Sequence, residues 1–249
     1  MMRPFLLLAT RADDPVADAE YQAFLRFGGL SEGQLVRVRL EQGPLDELMP
    51  GLDLRDYSGV ILGGSPFTST DPPREKSPAQ VRVEAELEGL VGDVLKFDVP
   101  FLGACYGIST LGRFLGGRLD RTYAEPVAAV PVTLTVEGAA DPLLAGLPRT
   151  FRAFVGHKEA LRAVPPGAVL LASSPGCPVQ MFQVGEHQYA TQFHPELDVP
   201  GIIERIRVYR HCGYFHPDEM DTLIGEVSVA EVPWPARILA NFTARYASP

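Results

Sequence analysis

Of the side chains able to do chemistry, Cys105 has the most telling surroundings. It lies in Gly103-Ala104-Cys105-Tyr106-Gly107, directly after the apolar run Val99-Pro100-Phe101-Leu102 and directly before a helical pattern. A nucleophile on a sharp strand-to-helix turn sits in strained backbone and needs small neighbours. The start of the following helix adds positive potential, which predicts a lowered thiol pKa and a thiolate. The backbone N–H of Tyr106 points to where an oxyanion would form. On the pentapeptide alone, a buried structural cysteine in a glycine-rich turn reads equally well. Cys177, between Gly176 and Pro178, and Cys212 lack this context and read as structural thiols.

A thiolate attacking an amide needs a histidine as base and then as acid to the departing amine. His194 ends the apolar run Ala190-Thr191-Gln192-Phe193, and Pro195 then stops the strand. Glu196, two residues on, is placed to reach back and fix the ring's tautomer and orientation. His187 follows Gly185-Glu186 and reads as a hairpin turn. His211, Cys212 and His216 have no carboxylate or thiol at a ligand spacing, so no metal site and no cofactor is expected. A second feature, Val60-Ile61-Leu62-Gly63-Gly64-Ser65-Pro66, puts two glycines at the end of a strand, where open α/β sheets bind ligands. Glycine there lets a backbone N–H approach a substrate oxygen. A phosphate loop is excluded because no G-K-[ST] follows.

These segments need a sheet to bring them together. Residues 3–9 form a continuous apolar strand of the kind buried on both faces. Helical spacing follows over 13–27, and strand patterns over 34–40 and 57–62. A long helix is expected over 79–97, a strand over 99–103 and a helix over 108–115. Strand patterns recur over 127–136, 150–155, 168–172, 179–184 and 188–193. After Pro195 the texture turns helical, most clearly over 201–209 and 236–246. Strand alternating with helix in the first half is the signature of a doubly wound, mostly parallel sheet with helices on both faces.

The 249 residues carry 46% hydrophobic and 21% charged side chains, enough for a sizeable core. The net charge of -9 and the scattered arginines argue against nucleic acid as a partner, which needs clustered cations. Three distant cysteines suit free thiols in a reducing compartment. The first apolar run is too short for a signal-peptide core, and no stretch approaches a membrane span. A cytoplasmic protein without a membrane partner is the expectation.

In order, the Gly63-Gly64 loop, G-x-C-x-G at Cys105 and His194-Pro195-Glu196 resemble the class I (triad-type) glutamine amidotransferases, in particular stand-alone proteins related to the glutaminase domain of GMP synthase. The resemblance covers roughly residues 3–197. It implies a flavodoxin-like fold, an amidotransferase domain over 1–197 and a C-terminal helical extension over 198–249 packed on it. It further implies Cys105 as nucleophile, His194 as general base and acid, and Glu196 as orienter. The N–H groups of Gly64 and Tyr106 would form the oxyanion hole. Gly63, Gly107, Ser109, Gly156, His157 and Lys158 would line the substrate pocket. The stretch Gly156-His157-Lys158-Glu159 is similar to the family's S-H-x-D pocket segment, with His157 and Glu159 at its histidine and acidic positions. Lys158 reads either as a partner for a substrate carboxylate or as a solvated surface lysine, with the second reading preferred.

The expected reaction is hydrolysis of the side-chain amide of glutamine to glutamate and ammonia, by a chain that is either the glutaminase subunit of a two-chain enzyme with a separate synthase subunit or a free-standing hydrolase. One departure opens an alternative. Where the family carries Gln four residues after the nucleophile, this chain has Ser109, whose hydroxyl cannot reach the same atoms. A γ-glutamyl peptidase or hydrolase using the same triad therefore stands beside the glutaminase reading. A non-catalytic regulatory subunit is a third, at odds with the presence of Cys105, His194 and Glu196 together.

Overall fold

A computed structural model of the chain describes residues 3–248. The first half alternates β1 (Phe5–Ala9), α1 (Asp14–Gly28), β2 (Leu35–Arg39), the short α2 (Leu45–Leu48), β3 (Gly59–Leu62), α3 (Pro78–Lys96), β4 (Phe101–Ala104) and α4 (Tyr106–Phe114). A strand-rich region follows: β5 (Leu119–Asp120), β6 (Glu125–Leu134), the short α5 (Val136–Ala140), β7 (Thr150–His157), β8 (Ala160–Leu161), β9 (Ala168–Ser173), β10 (Met181–Val184) and β11 (Gln188–Thr191). Three helices close the chain: α6 (Val199–Val208), α7 (Met220–Ser228) and α8 (Ala236–Tyr246).

Nine of these strands form one sheet in the order β2-β1-β3-β4-β11-β10-β9-β6-β7. The first five run parallel, and the rest continue the sheet antiparallel. The parallel block has the flavodoxin-like order, with the direction of winding reversing between β1 and β3. Ligands of such sheets bind outside the carboxyl ends of the strands near that switch, and there the loops after β1, β3, β4 and β11 converge.

The burial of β1 explains its unbroken apolar run. Phe5 and Leu7 face one core, with Phe24 of α1 and Ile238, Leu239 and Phe242 of α8. Leu6 and Leu8 face the opposite core, with Val83, Leu87 and Val91 of α3 and Ile108 and Leu111 of α4. Helices thus cover both faces. Gly103 is required where β4 meets α4: a Cβ there would lie 2.8 Å from the Gly107 backbone. Among the described residues no helix is long and apolar enough to cross a membrane.

Two details differ from the sequence pattern. The last parallel strand stops at Thr191 rather than Phe193, so residues 192–196 form a loop that turns at the edge of the sheet. Helix α7 lies in the stretch of helical texture but was not singled out as an element, although Met220, Leu223, Ile224 and Val227 have helical spacing. They pack with Ile202 and Ile206 of α6 in a third, smaller core. Helix α8 is part of the main body: Phe242 is wholly buried, its ring 5.9 Å from that of Phe5. Phe242→Ala is expected to lower unfolding free energy by about 3–5 kcal/mol in a denaturant titration. An unchanged midpoint would show α8 to be dispensable to the core.

Candidate active site

Cys105 occupies the turn between β4 and α4 with φ 53° and ψ −84°. A non-glycine residue there carries about 1–3 kcal/mol of backbone strain. Two bonds hold it: its N–H donates to the Thr191 carbonyl on β11 at 2.7 Å, and its carbonyl accepts from the Ile108 N–H at 3.1 Å. The β4–β11 register, with Ala104 opposite Thr191, places the loop bearing His194 beside this turn. A further bond, from the His194 N–H to the Phe154 carbonyl of β7 at 3.0 Å, fixes that loop.

His194 and Cys105 line one cleft. The imidazole is buried, and its Nδ1 lies 2.8 Å from Oε1 of the fully buried Glu196. Burial holds His194 below its ordinary pKa, with Arg205 and Arg11 acting in the same direction and Glu196 against them. For Glu196, burial favours the neutral acid. The His194 and Arg205 charges and the His194 hydrogen bond outweigh it and hold the carboxyl well below the usual range. The expected thiolate is not present at rest. Burial pushes the Cys105 thiol up to about 12, and the Arg11 and Arg205 charges only partly offset it, with Glu196 and Glu159 opposing them. Desolvation is the largest of these effects.

The cleft has two arms that meet at Cys105, Ser65, Gly156 and Tyr214. One encloses about 40 Å³, room for about three waters, and holds His194, Arg11, Arg205 and Tyr209 opposite an apolar wall of Val127, Val155, Leu197, Ile202, Ile206 and Phe215. The other is polar, lined by Ser109, His157, Lys158, Glu159 and Gln192. Tyr214 forms part of the roof through a long 3.5 Å bond to the Ser65 carbonyl. Lys158 is half-buried with its Nζ 4.6 Å over the Tyr214 ring, not freely solvated as its sequence context suggested. The cation–π contact accounts for its position.

The remaining pocket residues divide by contact. Ser109 is buried in the polar arm. Gly107 packs on Leu62, and a Cβ on Gly156 would press on Val127 at 3.1 Å. The Gly63 N–H is taken by the Leu8 carbonyl at 3.0 Å. Both His157 nitrogens are engaged: Nδ1 with the Glu159 carbonyl and Nε2 with Glu125 Oε2, each at 3.0 Å. The Glu159 carboxylate accepts from the Ser69 and Thr70 N–H groups and so anchors the segment after the glycine loop. Glu125, His157 and Cys177 bring potential metal-ligating atoms within 4.8 Å of one another, a grouping invisible in the sequence spacing. Cys177 is fully buried there, and Gln180 also donates to Glu125 at 2.8 Å.

Three charged residues at the site were missed: Arg11, Glu20 and Arg205. A signal existed. Glu20 interrupts the buried stripe Val16, Ala17, Phe24 of α1, and Arg205 interrupts Ile202 and Ile206 of α6. A charge on a buried helical face needs a partner.

This fold and cleft define a family. Residues 26–199 match the model of the class I glutamine amidotransferases, and the chain belongs to that family. Among curated relatives, GMP synthase [glutamine-hydrolyzing] of Thermomicrobium roseum is 31% identical over 184 residues, 71% of this chain but only 31% of that protein. One of the subunits of GMP synthase [glutamine-hydrolyzing] from Pyrococcus abyssi is 29% identical over 141 residues, 56% of this chain and 66% of that one. The chain thus spans about a third of the length of the first relative. Among solved structures, a glutamine amidotransferase from Thermotoga maritima matches with a TM-score of 0.71 at 21% identity, covering 98% of each chain. One from Methylobacillus flagellatus matches at 0.71 and 17%, covering 100% of this chain and 96% of the other. At those identities the likeness is one of fold.

With its thiol protonated at rest, Cys105 should react slowly with iodoacetamide at neutral pH. The rate is expected to climb about tenfold per pH unit through pH 9 without levelling. A plateau near neutrality, followed by mass spectrometry of the Cys105 peptide, would contradict a neutral resting thiol.

Proposed function

We propose that this chain hydrolyses the side-chain amide of glutamine, or of a γ-glutamyl relative, through a thioester on Cys105. The supporting observation is a cysteine on a strained strand-to-helix turn in the same cleft as a histidine already bonded to a buried carboxylate. Substrate binding displaces water and brings the γ-carbonyl to Sγ. His194 Nε2 takes the thiol proton as the S–C bond forms, and Glu196 stabilises the imidazolium. The Gly64 and Tyr106 N–H groups are the oxyanion donors in this reading, each worth about 3 kcal/mol. Tyr106 is the first residue of α4, so its N–H has no intrahelical acceptor. Collapse of the tetrahedral species breaks the C–N bond, and His194 returns its proton to the leaving amine. Water, deprotonated by the same nitrogen, then releases the acid and the thiol.

The two-armed cleft supports one placement of the substrate's halves. The polar arm, with Ser109 and Lys158, suits the amino-acid end. The apolar arm holds His194, which must protonate the departing nitrogen, so the leaving amine belongs there. That wall favours a second reading within the same chemistry: a γ-glutamyl amide whose amine carries an apolar group. For ammonia as product, a separate synthase chain is the natural consumer, in keeping with the Pyrococcus abyssi relative being named as one of several subunits.

Cys105→Ala is expected to abolish turnover, by about 10⁴-fold or more, with the circular dichroism spectrum unchanged. Trapping the acyl-enzyme across glutamine and γ-glutamyl amides of rising amine size identifies the substrate. A glutamyl adduct on Cys105 is expected, and turnover retained by the alanine variant would place the nucleophile elsewhere. Faster acylation by apolar amides than by glutamine selects the second reading.

A further inference from the structure

Behind His194 lies a chain of charges outside the pairing of nucleophile, base and orienter. Arg205 Nη2 donates to Oε1 of both Glu196, at 3.0 Å, and Glu20, at 3.1 Å. Its Nη1 stands 3.0 Å from His194 Nδ1. Glu20 Oε1 also accepts from Arg11 Nε at 2.8 Å, and Arg11 Nη1 donates to the Tyr209 hydroxyl at 2.9 Å. Arg11, Glu20 and Arg205 are all buried, and all three lie outside residues 26–199, the stretch matched to the family.

From this geometry we infer that Arg205 is a positioning residue that governs the proton on His194, and that Glu20, held by Arg11, sets the strength of that control. A guanidinium only donates, so Arg205 and Glu196 favour opposite states of one nitrogen. Protonated, Nδ1 donates to Glu196; bare, it accepts from Arg205. The neutral ring with its proton on Nδ1 satisfies Glu196 and leaves Nε2 bare to act as base; the imidazolium formed when Nε2 takes a proton then faces the Arg205 charge, which disfavours it at rest and confines it to the moment of proton transfer. Glu20 neutralises part of the Arg205 charge from behind. The groups facing His194 are Glu196 in its own loop, Arg205 from α6, Arg11 from the loop after β1 and Cys105 from the β4–α4 turn, beneath the roof residues Tyr209 and Tyr214.

The same network accounts for the glycine loop. A Cβ on Gly63 would lie 2.9 Å from Glu20 Oε2, and one on Gly64 would lie 2.6 Å from Arg11 Nη2 and 2.8 Å from His194 Cε1. The charges behind the site thus occupy the space that side chains in that loop would need.

The catalytic meaning of this control rests on the acyl-transfer reading above; the network does not. The test is the His194 titration followed by ¹⁵N-histidine NMR in the substrate-free protein. Arg205→Met removes the opposing charge and is expected to raise the His194 midpoint by about one unit or more. Glu20→Gln leaves Arg205 less neutralised and is expected to lower it. Arg205→Lys, which restores charge without the fork, should recover part of the wild-type midpoint. Purely structural roles predict loss of stability without opposite shifts, so unchanged midpoints in folded variants, or shifts of one sign, overturn the assignment. Should Arg205→Met not fold, the sign of the Glu20→Gln shift decides alone. Opposite shifts in a protein that forms no acyl-enzyme would support the network while refuting the function. In an active protein, Arg205→Met should lower kcat about tenfold with KM little changed.

Discussion

Four full charges, those of Arg11, Glu20, Glu196 and Arg205, are buried together at the carboxyl edge of the sheet, and the site depends on how they are paired. Charges leave water only when each meets an opposite charge in good geometry, and loss of one partner from such a group typically costs about 3–5 kcal/mol. The two guanidinium and two carboxylate groups balance in number. They arrive from four places: the end of β1, the middle of α1, the loop after β11 and the middle of α6. Pairing them fixes how both helices dock against that loop. It also leaves Glu196 ionised, with one oxygen turned to His194.

The sheet supplies the other half of the geometry. Parallel pairing of β3, β4 and β11 puts the glycine loop, the Cys105 turn and the histidine loop side by side without any one of them being long. Close packing at Gly103 and Gly107 presses α4 onto β4 and holds Cys105 in its unfavourable backbone conformation. Desolvation then disfavours the charged forms of both the thiol and the imidazole.

The elements of the fold were legible because their signals are local. Strand β1 shows a continuous apolar run, α3 has a Ser77 cap and long periodicity, and Pro195 marks the end of a strand. The motifs around Cys105 and His194 were legible for the same reason, being short segments whose residue types carry the chemistry. The supporting charges were not, because Arg11, Glu20 and Arg205 gain meaning only when positions nearly two hundred residues apart meet. Glu20 and Arg205 did leave a trace as charges on otherwise buried helical faces. The burial of Cys105 was hidden for a related reason: the helix start can be read from sequence, whereas the desolvation that pushes the thiol pKa up cannot. The aromatic roof at Tyr209, Tyr214 and Phe215 follows α6 in a stretch with no periodic pattern, so only the structure brings it over the cleft.

The central claim is that Cys105, His194 and the two backbone donors act on one carbonyl group. A crystal structure of the chain inactivated by a glutamine-like chloroketone tests it most directly, because the adduct's oxygen stands where the oxyanion would. The account predicts a Cys105 thioether with that oxygen about 2.7–3.1 Å from the N–H groups of Gly64 and Tyr106, and His194 facing the sulfur. An adduct on Cys177 or Cys212, or an oxygen turned away from both donors, would contradict it.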